Sequence, residues 1–571
     1  MTKLTITVLD TTGIQDYVFS SNRLGENIGA SYLVSQATKE WAEKALQDLG
    51  KELNQEVHIP TRNSLHKIYI GNENVAGEIV YAGGGNTVLL FANAEYAKCF
   101  TQILSKRVLQ EAPGLNIVAV HYKEFELGKG EFKKTLNQLL EKDLAKKKRE
   151  RVASAPLLGL GITATCQSTQ LPAVNTSEKY VDTDEEDIYL ISRESEAKLK
   201  AVPKANQRLI EKFPGTFDPE IYDFPRRTDY LGRAEGESSY VAIVHADGNG
   251  MGNRFQKCGE GKSDQEAIIE MRKLSFSVED AGINALKKVL NIINHSIKNG
   301  EIIGKIGKFN LKKSKNGKYY LPFRPLVYGG DDVIFVCEGR LGLELAATYL
   351  REFEEQKDID GQPLNLTARA GICVVKTHYP FARAYQLVEE LYGTAKKFIK
   401  EERERLKDFL EDPDNYYCSS IDWHFAASGV IGSLSEIRQR EYKVSSGNMI
   451  MRPIRIKEHD EDDDQWRTWS NFINVVEHFN GYFDDIEGNE PWKDRRNKII
   501  ALREILREGS YKTEQFMKAY GIKKLPPFPQ VDNLQQQGWC IQGEQHYCGY
   551  FDAIEAMDFY IGLKEDDNEY L

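Results

Sequence analysis

Residues 324–339 read RPLVYGGDDVIFVCEG, and this stretch decides the fold class. Two apolar runs, RPLV and VIFVC, flank the sequence Tyr328-Gly329-Gly330-Asp331-Asp332. The two glycines allow the backbone torsions of a tight turn between two strands, so the stretch predicts a β-hairpin. A rigid sheet would then hold Asp331 and Asp332 at the tip of the hairpin.

The residues around this hairpin follow a pattern of strand, helix, hairpin, helix and strand. Upstream, SSYVAIVHADGNGMGNRF predicts a strand that runs into a glycine-rich loop, and FSVEDAGINALKKVLNIINH predicts a helix. Downstream, GLELAATYLREFEEQ predicts a second helix and LTARAGICVVKTH the last strand. A βαββαβ unit of this kind has the size of a ferredoxin-like or polymerase-palm domain.

The same pattern occurs earlier in the chain, around KLTITVLD and the hairpin GEIVYAGGGNTVLLFAN. The predicted fold class is therefore α+β, with two tandem ferredoxin-like βαββαβ domains, an irregular connector and a helical C-terminal domain. The predicted boundaries are 1–151 for the first βαββαβ domain, 152–238 for the connector, 239–428 for the second and 429–571 for the C-terminal domain.

The first strand of the second unit, YVAIVHA, leads directly to Asp247. This strand runs antiparallel to the third strand in the predicted topology, so Asp247 is expected beside Asp331 and Asp332. Three neighbouring carboxylates repel one another unless divalent cations neutralise them. Hard oxygen ligands suit Mg²⁺ or Mn²⁺ bound together with substrate phosphates, so the three residues predict a metal site.

The loop DGNGMG follows Asp247 and contains Gly248, Gly250 and Gly252. Successive glycines let backbone N–H groups approach an anion closely, which makes the loop a candidate triphosphate cradle. The alternative is a polar hairpin turn and a surface loop without chemistry. Lys396, on a predicted helix, is placed to reach the phosphates of a bound nucleotide, and an exposed helix lysine is the alternative.

The corresponding hairpin of the first unit reads Gly83-Gly84-Gly85-Asn86 and has no carboxylate at its tip. Catalysis is therefore expected in the second unit. The glycines of the first hairpin, including Gly84 and Gly85, permit close backbone approach and predict a site for a second nucleotide across the interface.

The composition restricts the class of partner and the compartment. The 75 Lys and Arg against 86 Asp and Glu give a formal charge of -11, which argues against a surface that grips nucleic acid throughout. The N-terminus lacks the segments of a signal peptide, and no run reaches the roughly 18 apolar residues of a membrane span. A cytoplasmic protein without membrane contact is expected.

The eight cysteines include no CxxC pair, and a zinc site from Cys540, His546 and Cys548 lacks the usual spacing.

These motifs together resemble the large subunit of type III CRISPR effector complexes, one of several families that share a nucleotide-cyclase palm. The features that select it are GGDD, two palms of which only the second is acidic, and the phrases GIQDYVFSSNRLGENIGASYLVS and ARAGICVVKTHYPFARAYQLVEELYGTAKK. The resemblance covers roughly residues 1–150 and 235–430. It implies an enzyme that joins ATP, or another nucleoside triphosphate, into a cyclic oligonucleotide messenger of antiviral defence and releases pyrophosphate.

The resemblance also implies a role for each site residue. Two Mg²⁺ or Mn²⁺ ions would be held by Asp247, the Gly248 backbone, Asp331 and Asp332. The nucleotides would be contacted by Gly248, Asn249, Gly250, Gly329, Gly330, Lys396, Gly84 and Gly85. The partners implied are guide or target RNA, other CRISPR effector subunits and a downstream effector that binds the cyclic product. Self-association into a homo-oligomer is left open.

Three departures from the family pattern qualify these expectations. Large members begin with an HD nuclease domain, whereas this chain starts at the first palm, and its one His-Asp pair, His459-Asp460, lies in an acidic run, so DNA cleavage is not expected. The connector keeps only Cys166 of the usual zinc finger, so no structural zinc is expected. Asn249 stands where many relatives have a second acid. Two alternatives remain: a nucleotide- or RNA-binding subunit of an RNA-guided complex with little catalysis, and a template-dependent polymerase.

Overall fold

The structure is a computed structural model that describes residues 3–83, 85–150, 159–181, 188–231, 239–407, 417–426, 432–458, 466–482, 492, 494–528, 531–543 and 545–564. The first βαββαβ unit contains the following strands and helices: β1 (Lys3–Thr12), α1 (Ile14–Phe19), α2 (Leu24–Ser35), α3 (Trp41–Leu53), β2 (Glu56–His58), β3 (Val75–Gly83), β4 (Asn86–Phe91), α4 (Ala94–Glu111), β5 (Asn116–Glu126), α5 (Phe132–Gln138) and α6 (Ala145–Glu150). Short π-helical turns at Gln36–Glu40 and Leu139–Leu144 precede α3 and α6.

The connector holds one long helix and short strand pairs, namely β6 (Asn175–Thr176), β7 (Leu190–Ile191), α7 (Arg193–Lys212) and β8 (Tyr222–Asp223). The second βαββαβ unit contains these elements: β9 (Tyr240–Gly248), α8 (Met251–Lys257), α9 (Asp264–His295), β10 (Ile297–Lys298), β11 (Glu301–Ile303), β12 (Lys308–Asn310), β13 (Tyr319–Tyr320), β14 (Phe323–Val327), β15 (Val333–Glu338), α10 (Gly342–Glu354), β16 (Ala368–Lys376) and α11 (Phe381–Arg405).

The sheets of the two units share one topology. The first sheet has the order β2-β3-β4-β1-β5, and the second contains β14-β15-β9-β16 in the equivalent order. In each sheet the first long strand of the unit lies between the third and fourth long strands and pairs antiparallel with both. The predicted pair of ferredoxin-like units is therefore confirmed, and the end of β9 lies beside the β14–β15 turn as expected.

The C-terminal region adds two features to its predicted helices. β17 (Ser420–Ala426) precedes this region, whose own elements are α12 (Leu434–Glu441), β18 (Lys443–Val444), β19 (Gly447–Asn448), β20 (Ile454–Arg455), α13 (Trp469–Phe479), α14 (Arg496–Leu506), α15 (Ser510–Ala519), α16 (Asp532–Gln537), β21 (Trp539–Gln542), β22 (Gln545–Cys548) and α17 (Phe551–Ala556). β17 and β20 extend the second sheet, and β18-β19-β22-β21 form a separate small sheet. The second sheet thus takes a strand from the region predicted as the C-terminal domain.

Helix α9 belongs to the second unit but anchors itself in the first. The Asp264 carboxylate accepts hydrogen bonds from backbone amides of the loop 128–132, at 2.7 to 3.1 Å. Two turns later, Arg272 donates to the Glu78 carboxylate at 2.6 Å, and both side chains are almost fully buried. Buried polar groups of this kind need their partners. These contacts fix the two hairpins relative to each other.

Among the described residues, no helix combines the length and the apolar character needed to cross a membrane. The predicted His459-Asp460 pair lies outside the described residues.

Candidate active site

Helix α9 packs closely against the backbone of the GGDD hairpin. Gly329 has a φ of +101°, a conformation that residues with a Cβ rarely adopt. Helix α9 passes close to the turn at Gly282, where an added Cβ would lie 2.2 Å from the carbonyl oxygen of Gly330. The backbone of the tip is therefore confined by α9 on one side, while Gly329 and Gly330 face open space on the other.

Replacing Gly282 by Ala is expected to displace the hairpin tip. The methyl group cannot fit 2.2 Å from the Gly330 carbonyl, so we expect the free energy of unfolding to fall by about 1–3 kcal/mol, the usual range for overpacking. Gly393→Ala is the matched control, because Gly393 is also helical and a Cβ there meets nothing within 4 Å. That variant should be equal to wild type or more stable by up to about 1 kcal/mol. Urea unfolding curves give both values, and equal stability of the two variants would refute the close packing.

Two of the three predicted carboxylates meet at the tip. Strand β9 brings Asp247 to the hairpin, where the Gly248 amide donates to the Asp331 carbonyl at 3.2 Å. The two carboxyl groups lie in direct contact. Burial and the neighbouring Asp247 carboxylate raise the pKa of Asp331 to about 7. Such a rise is expected where two acids compete for one half-buried space.

Asp247 is itself held in place by two side chains. Its Oδ2 atom accepts a hydrogen bond from Arg369 at 2.7 Å and from the Tyr392 hydroxyl at 2.6 Å. Arg369 lies in β16 beside β9, and Tyr392 lies on α11. Charge-assisted bonds of this kind are strong and directional. The free oxygen of Asp247 is therefore presented to the hairpin in a fixed orientation.

The third carboxylate, Asp332, has a different partner. Its Oδ1 atom lies 2.9 Å from His245 Nε2, and His245 Nδ1 lies 2.7 Å from Glu389. Burial lowers the pKa of His245, but the hydrogen bonds to Asp332 and Glu389 outweigh burial and raise it to about 10. Asp332 is thus paired with a protonated His245. In the described part of the chain, no group of three His, Cys, Asp or Glu side chains converges as metal ligands.

The donor set nevertheless fits a divalent cation. Asp247 and Asp331 offer two carboxylates in contact, both directed to a cavity, and their mutual repulsion is relieved by a cation between them. Asp332 lines the same cavity and is about half exposed, so it is available to a second cation once it leaves His245. The chemistry of these oxygen ligands suits Mg²⁺ or Mn²⁺.

The glycine-rich loop is positioned largely by Asn249. The Asn249 side chain donates to the Thr367 hydroxyl at 3.0 Å and to the Cys418 carbonyl at 3.2 Å, and accepts from Arg369 at 2.7 Å. Gly250 ends the loop at the start of α8 and packs against the Tyr417 ring. The side-chain amide of Asn249 thus hydrogen-bonds to other residues of the protein, and these bonds hold the loop in place.

Two cavities flank the hairpin tip between the two units. One has a volume of about 680 Å³ and the other about 370 Å³. Both are lined by Gly83 of the first hairpin and by Gly329, Gly330 and Asp331 of the second. The smaller cavity, which we call the carboxylate cavity, also contains Asp247 and Asp332 in its wall. A third cavity of about 1070 Å³ lies behind the loop and is lined by Asn249 and Gly250.

The remaining predicted residues lie at different distances from this centre. Gly85 lines the carboxylate cavity, whereas Gly84 lies outside the described residues. Lys396 is exposed on α11, one turn beyond Tyr392, and lines none of the three cavities. The structure therefore gathers the carboxylates and hairpin glycines and leaves Lys396 outside the lining of these cavities.

The first unit retains one carboxylate that the sequence analysis missed. In the first sheet Asp10 of β1 pairs with Asn86 of β4. In the second sheet Ala246 of β9 pairs with Val333 of β15, and the same register continued by one residue sets Asp247 opposite Asp332. Asp10 therefore occupies the position of Asp247. It forms an ion pair with Lys148, and both residues line the 680 Å³ cavity. The two units are thus related in their chemistry as well as in their topology.

Four side chains of the site in the second unit were also missed: His245, Arg369, Glu389 and Tyr392. A signal existed for two of them. His245 and Arg369 are single polar residues inside the otherwise apolar strands YVAIVHA and ARAGICVV. Such residues are expected to have a buried partner. Glu389 and Tyr392 lie on a helix with many polar residues, where nothing in the spacing singles them out.

Fold and site together define a protein with a palm domain, in which a central strand and a GGDD hairpin bring carboxylates together at one end of the sheet. Residues 240–407 match the family described as Cas10/Cmr2, second palm domain. The resemblance to the large subunit of type III CRISPR complexes, drawn from the GGDD hairpin and its surroundings, is confirmed there.

Several solved structures align with 97% of this chain. Csm1 in T. onnurineus has 14% identity and a TM-score of 0.48, over 70% of that chain. The Csm1-Csm4 cassette in complex with cA4 has 13% identity and a TM-score of 0.46, over 70% of that chain. The same cassette in complex with pppApApA has 13% identity and a TM-score of 0.47, over 69% of that chain. No curated protein sequence matches the chain.

Proposed function

We propose that this protein is a metal-dependent nucleotidyltransferase that joins ATP, or another nucleoside triphosphate, into a cyclic oligonucleotide and releases pyrophosphate. The observation that carries the proposal is the contact between Asp247 and Asp331 at a glycine hairpin that borders two cavities. A joining reaction needs two nucleotides at one reaction centre, and cavities on both sides of one hairpin provide two positions.

The reaction is attack of a ribose 3′-hydroxyl on the α-phosphorus of the second nucleotide. The new bond joins the 3′-oxygen to phosphorus, the hydroxyl proton passes to water, the bond from the α-phosphorus to the α,β-bridging oxygen breaks, and pyrophosphate leaves with its electron pair. Divalent cations, when bound, lower the pKa of the hydroxyl and neutralise charge on the leaving group. Asp247, Asp331, Asp332 and the Gly248 backbone would hold them.

The residues of the chain then position the metal-binding carboxylate and the nucleotide. Arg369 and Tyr392 keep Asp247 in one orientation, so the carboxylate meets its ligand without a reorganisation cost. Because Gly329 and Gly330 have no side chain and face open space, a nucleotide can lie directly on the hairpin backbone. The other proposed nucleotide contacts are Gly248, Asn249, Gly250, Lys396, Gly84 and Gly85.

The test is incubation of the pure protein with each nucleoside triphosphate and Mg²⁺ or Mn²⁺, with and without candidate RNA, followed by mass spectrometry. We expect a cyclic oligonucleotide of one preferred base. Absence of both pyrophosphate and oligonucleotide under every condition would refute the proposal.

The family match of residues 240–407 supports a second proposal, that the protein acts as the large subunit of an RNA-guided effector complex. If it does, RNA and other effector subunits should co-purify with the natively expressed protein. If the same preparation makes no product, the nucleotide- or RNA-binding alternative is favoured over catalysis. A purified protein free of RNA that makes product alone favours an independent enzyme.

A further inference from the structure

The connector helix α7 reaches the carboxylate cavity. Arg208 and Lys212 lie one turn apart on α7, and both line this cavity together with Lys39 of the first unit and Arg324 of the second. The cavity therefore has carboxylates at the hairpin and a cluster of four cations, contributed by three parts of the chain.

The charges within the cationic cluster are not balanced. Lys39 and Lys212 share a single carboxylate, that of Glu279, at 2.9 and 3.0 Å. Arg208 donates to the Ser35 hydroxyl at 2.7 Å and lies 3.4 Å from Glu40, which is exposed. Glu43 also interacts electrostatically with Lys39, but the ion pairs set two lysines against the one carboxylate of Glu279 and so leave a positive excess at this point of a half-buried space. Low local dielectric makes such an excess a strong attractor of anions.

Arg324 adds a buried cation. Its side chain is about 1% exposed, it donates to the Pro225 carbonyl at 3.1 Å, and its Nε has no hydrogen-bond partner among the described residues. Burial lowers the pKa of Arg324 to about 9, and the nearby Tyr328 and Asp223 offset only part of the lost hydration. A buried guanidinium without a paired anion indicates a place that an anionic ligand completes.

We infer that the cationic cluster, Lys39, Arg208, Lys212 and Arg324, binds the terminal phosphates of a nucleoside triphosphate whose α-phosphate lies at the carboxylates. The inference deepens the proposed function. It gives the connector a direct part in substrate binding and orients the nucleotide, with its polyphosphate directed away from the hairpin and toward α7. Pyrophosphate would leave from this end.

The experiment measures binding of inorganic tripolyphosphate by calorimetry in EDTA, so that neither metal binding nor catalysis contributes. Wild type should bind, and Arg208→Met and Lys212→Met should each bind about 10-fold more weakly, the loss of a charge-assisted contact. Lys204→Met is the matched control, since Lys204 is an exposed cation of the same helix that lines none of the three cavities, and it should bind as wild type does.

A second variant separates binding from folding. Glu279→Gln releases both lysines from their shared carboxylate, so it should bind tripolyphosphate more tightly, by about 3-fold or more. A folding defect cannot tighten binding. The charge-preserving Lys212→Arg variant should recover most of the affinity lost in Lys212→Met.

The outcomes discriminate between the phosphate site inferred here and the reaction proposed above. No binding by wild type, or equal binding by wild type, Arg208→Met and Lys212→Met, would overturn the inference. Weaker binding by Glu279→Gln would also overturn it, because the lysines would then act through Glu279 as structural supports. If the variants bind as expected but nucleoside triphosphates give no product, the proposed reaction fails while the phosphate site stands.

Discussion

Asp331→Asn is expected to lower product formation from nucleoside triphosphates at least ~100-fold. Asn keeps the shape of the side chain but replaces an anionic oxygen by an amide, and the contact with Asp247 then offers a cation one carboxylate in place of two. Changes to residues that only support a metal ligand already cost about 10–100-fold, and Asp331 is proposed as a ligand itself. Initial rates of pyrophosphate release measure the effect.

The control is the same chemical change at the surface. Asp48→Asn, on α3, removes a carboxylate that pairs with Lys44 at 3.3 Å, and it should retain wild-type rates. If Asp331→Asn forms product as fast as Asp48→Asn does, the hairpin does not hold the catalytic metal.

Arg272→Met is expected to lower the free energy of unfolding by about 3–5 kcal/mol. Arg272 donates to Glu78 and to four backbone carbonyls of the first unit, at 2.6 to 3.2 Å. Without it Glu78 remains a buried carboxylate that has lost its guanidinium, and breaking a buried pair from one side carries this cost. Urea unfolding monitored by circular dichroism gives the value.

Two comparisons make this prediction specific. Lys273→Met changes the adjacent residue, whose ion pair with Asp360 is partly exposed, and it should cost under about 1 kcal/mol. Adding Glu78→Gln to Arg272→Met should recover part of the loss, because it removes a buried charge that is then held only by His58 and two backbone amides. A double variant as unstable as the sum of the two single variants would mean that the pair is not coupled.

The two βαββαβ units were predictable because each strand and helix carries its own pattern. The apolar runs on both sides of GGDD specify a hairpin, and YVAIVHA specifies the central strand that delivers Asp247. The small sheet β18-β19-β22-β21 and the addition of β20 to the second sheet were not predictable. These strands have two to four residues each, too few for a period to show, and the pairing that joins the two halves of the small sheet, Asn448 with Tyr547, is distant in sequence.

The site was predictable where local geometry decides it. Two acids at a hairpin tip must lie near the end of the neighbouring strand, which gives Asp247 and Asp331. The partner of Asp332 was not predictable, because its contact with His245 depends on the face of β9 that the His245 side chain occupies and on Glu389 from α11. The approach of α7 to the carboxylate cavity depends likewise on packing between segments far apart in the chain.

The most direct measurement of the central claim is the ratio of pyrophosphate released to phosphodiester bonds formed, in one reaction with nucleoside triphosphate and Mg²⁺ or Mn²⁺. The proposed chemistry predicts one pyrophosphate for each bond, and in a ring the number of bonds equals the number of nucleotides. Mass spectrometry should show the ring without terminal phosphates. Release of inorganic phosphate with nucleoside diphosphate, and no bond between nucleotides, would contradict the account.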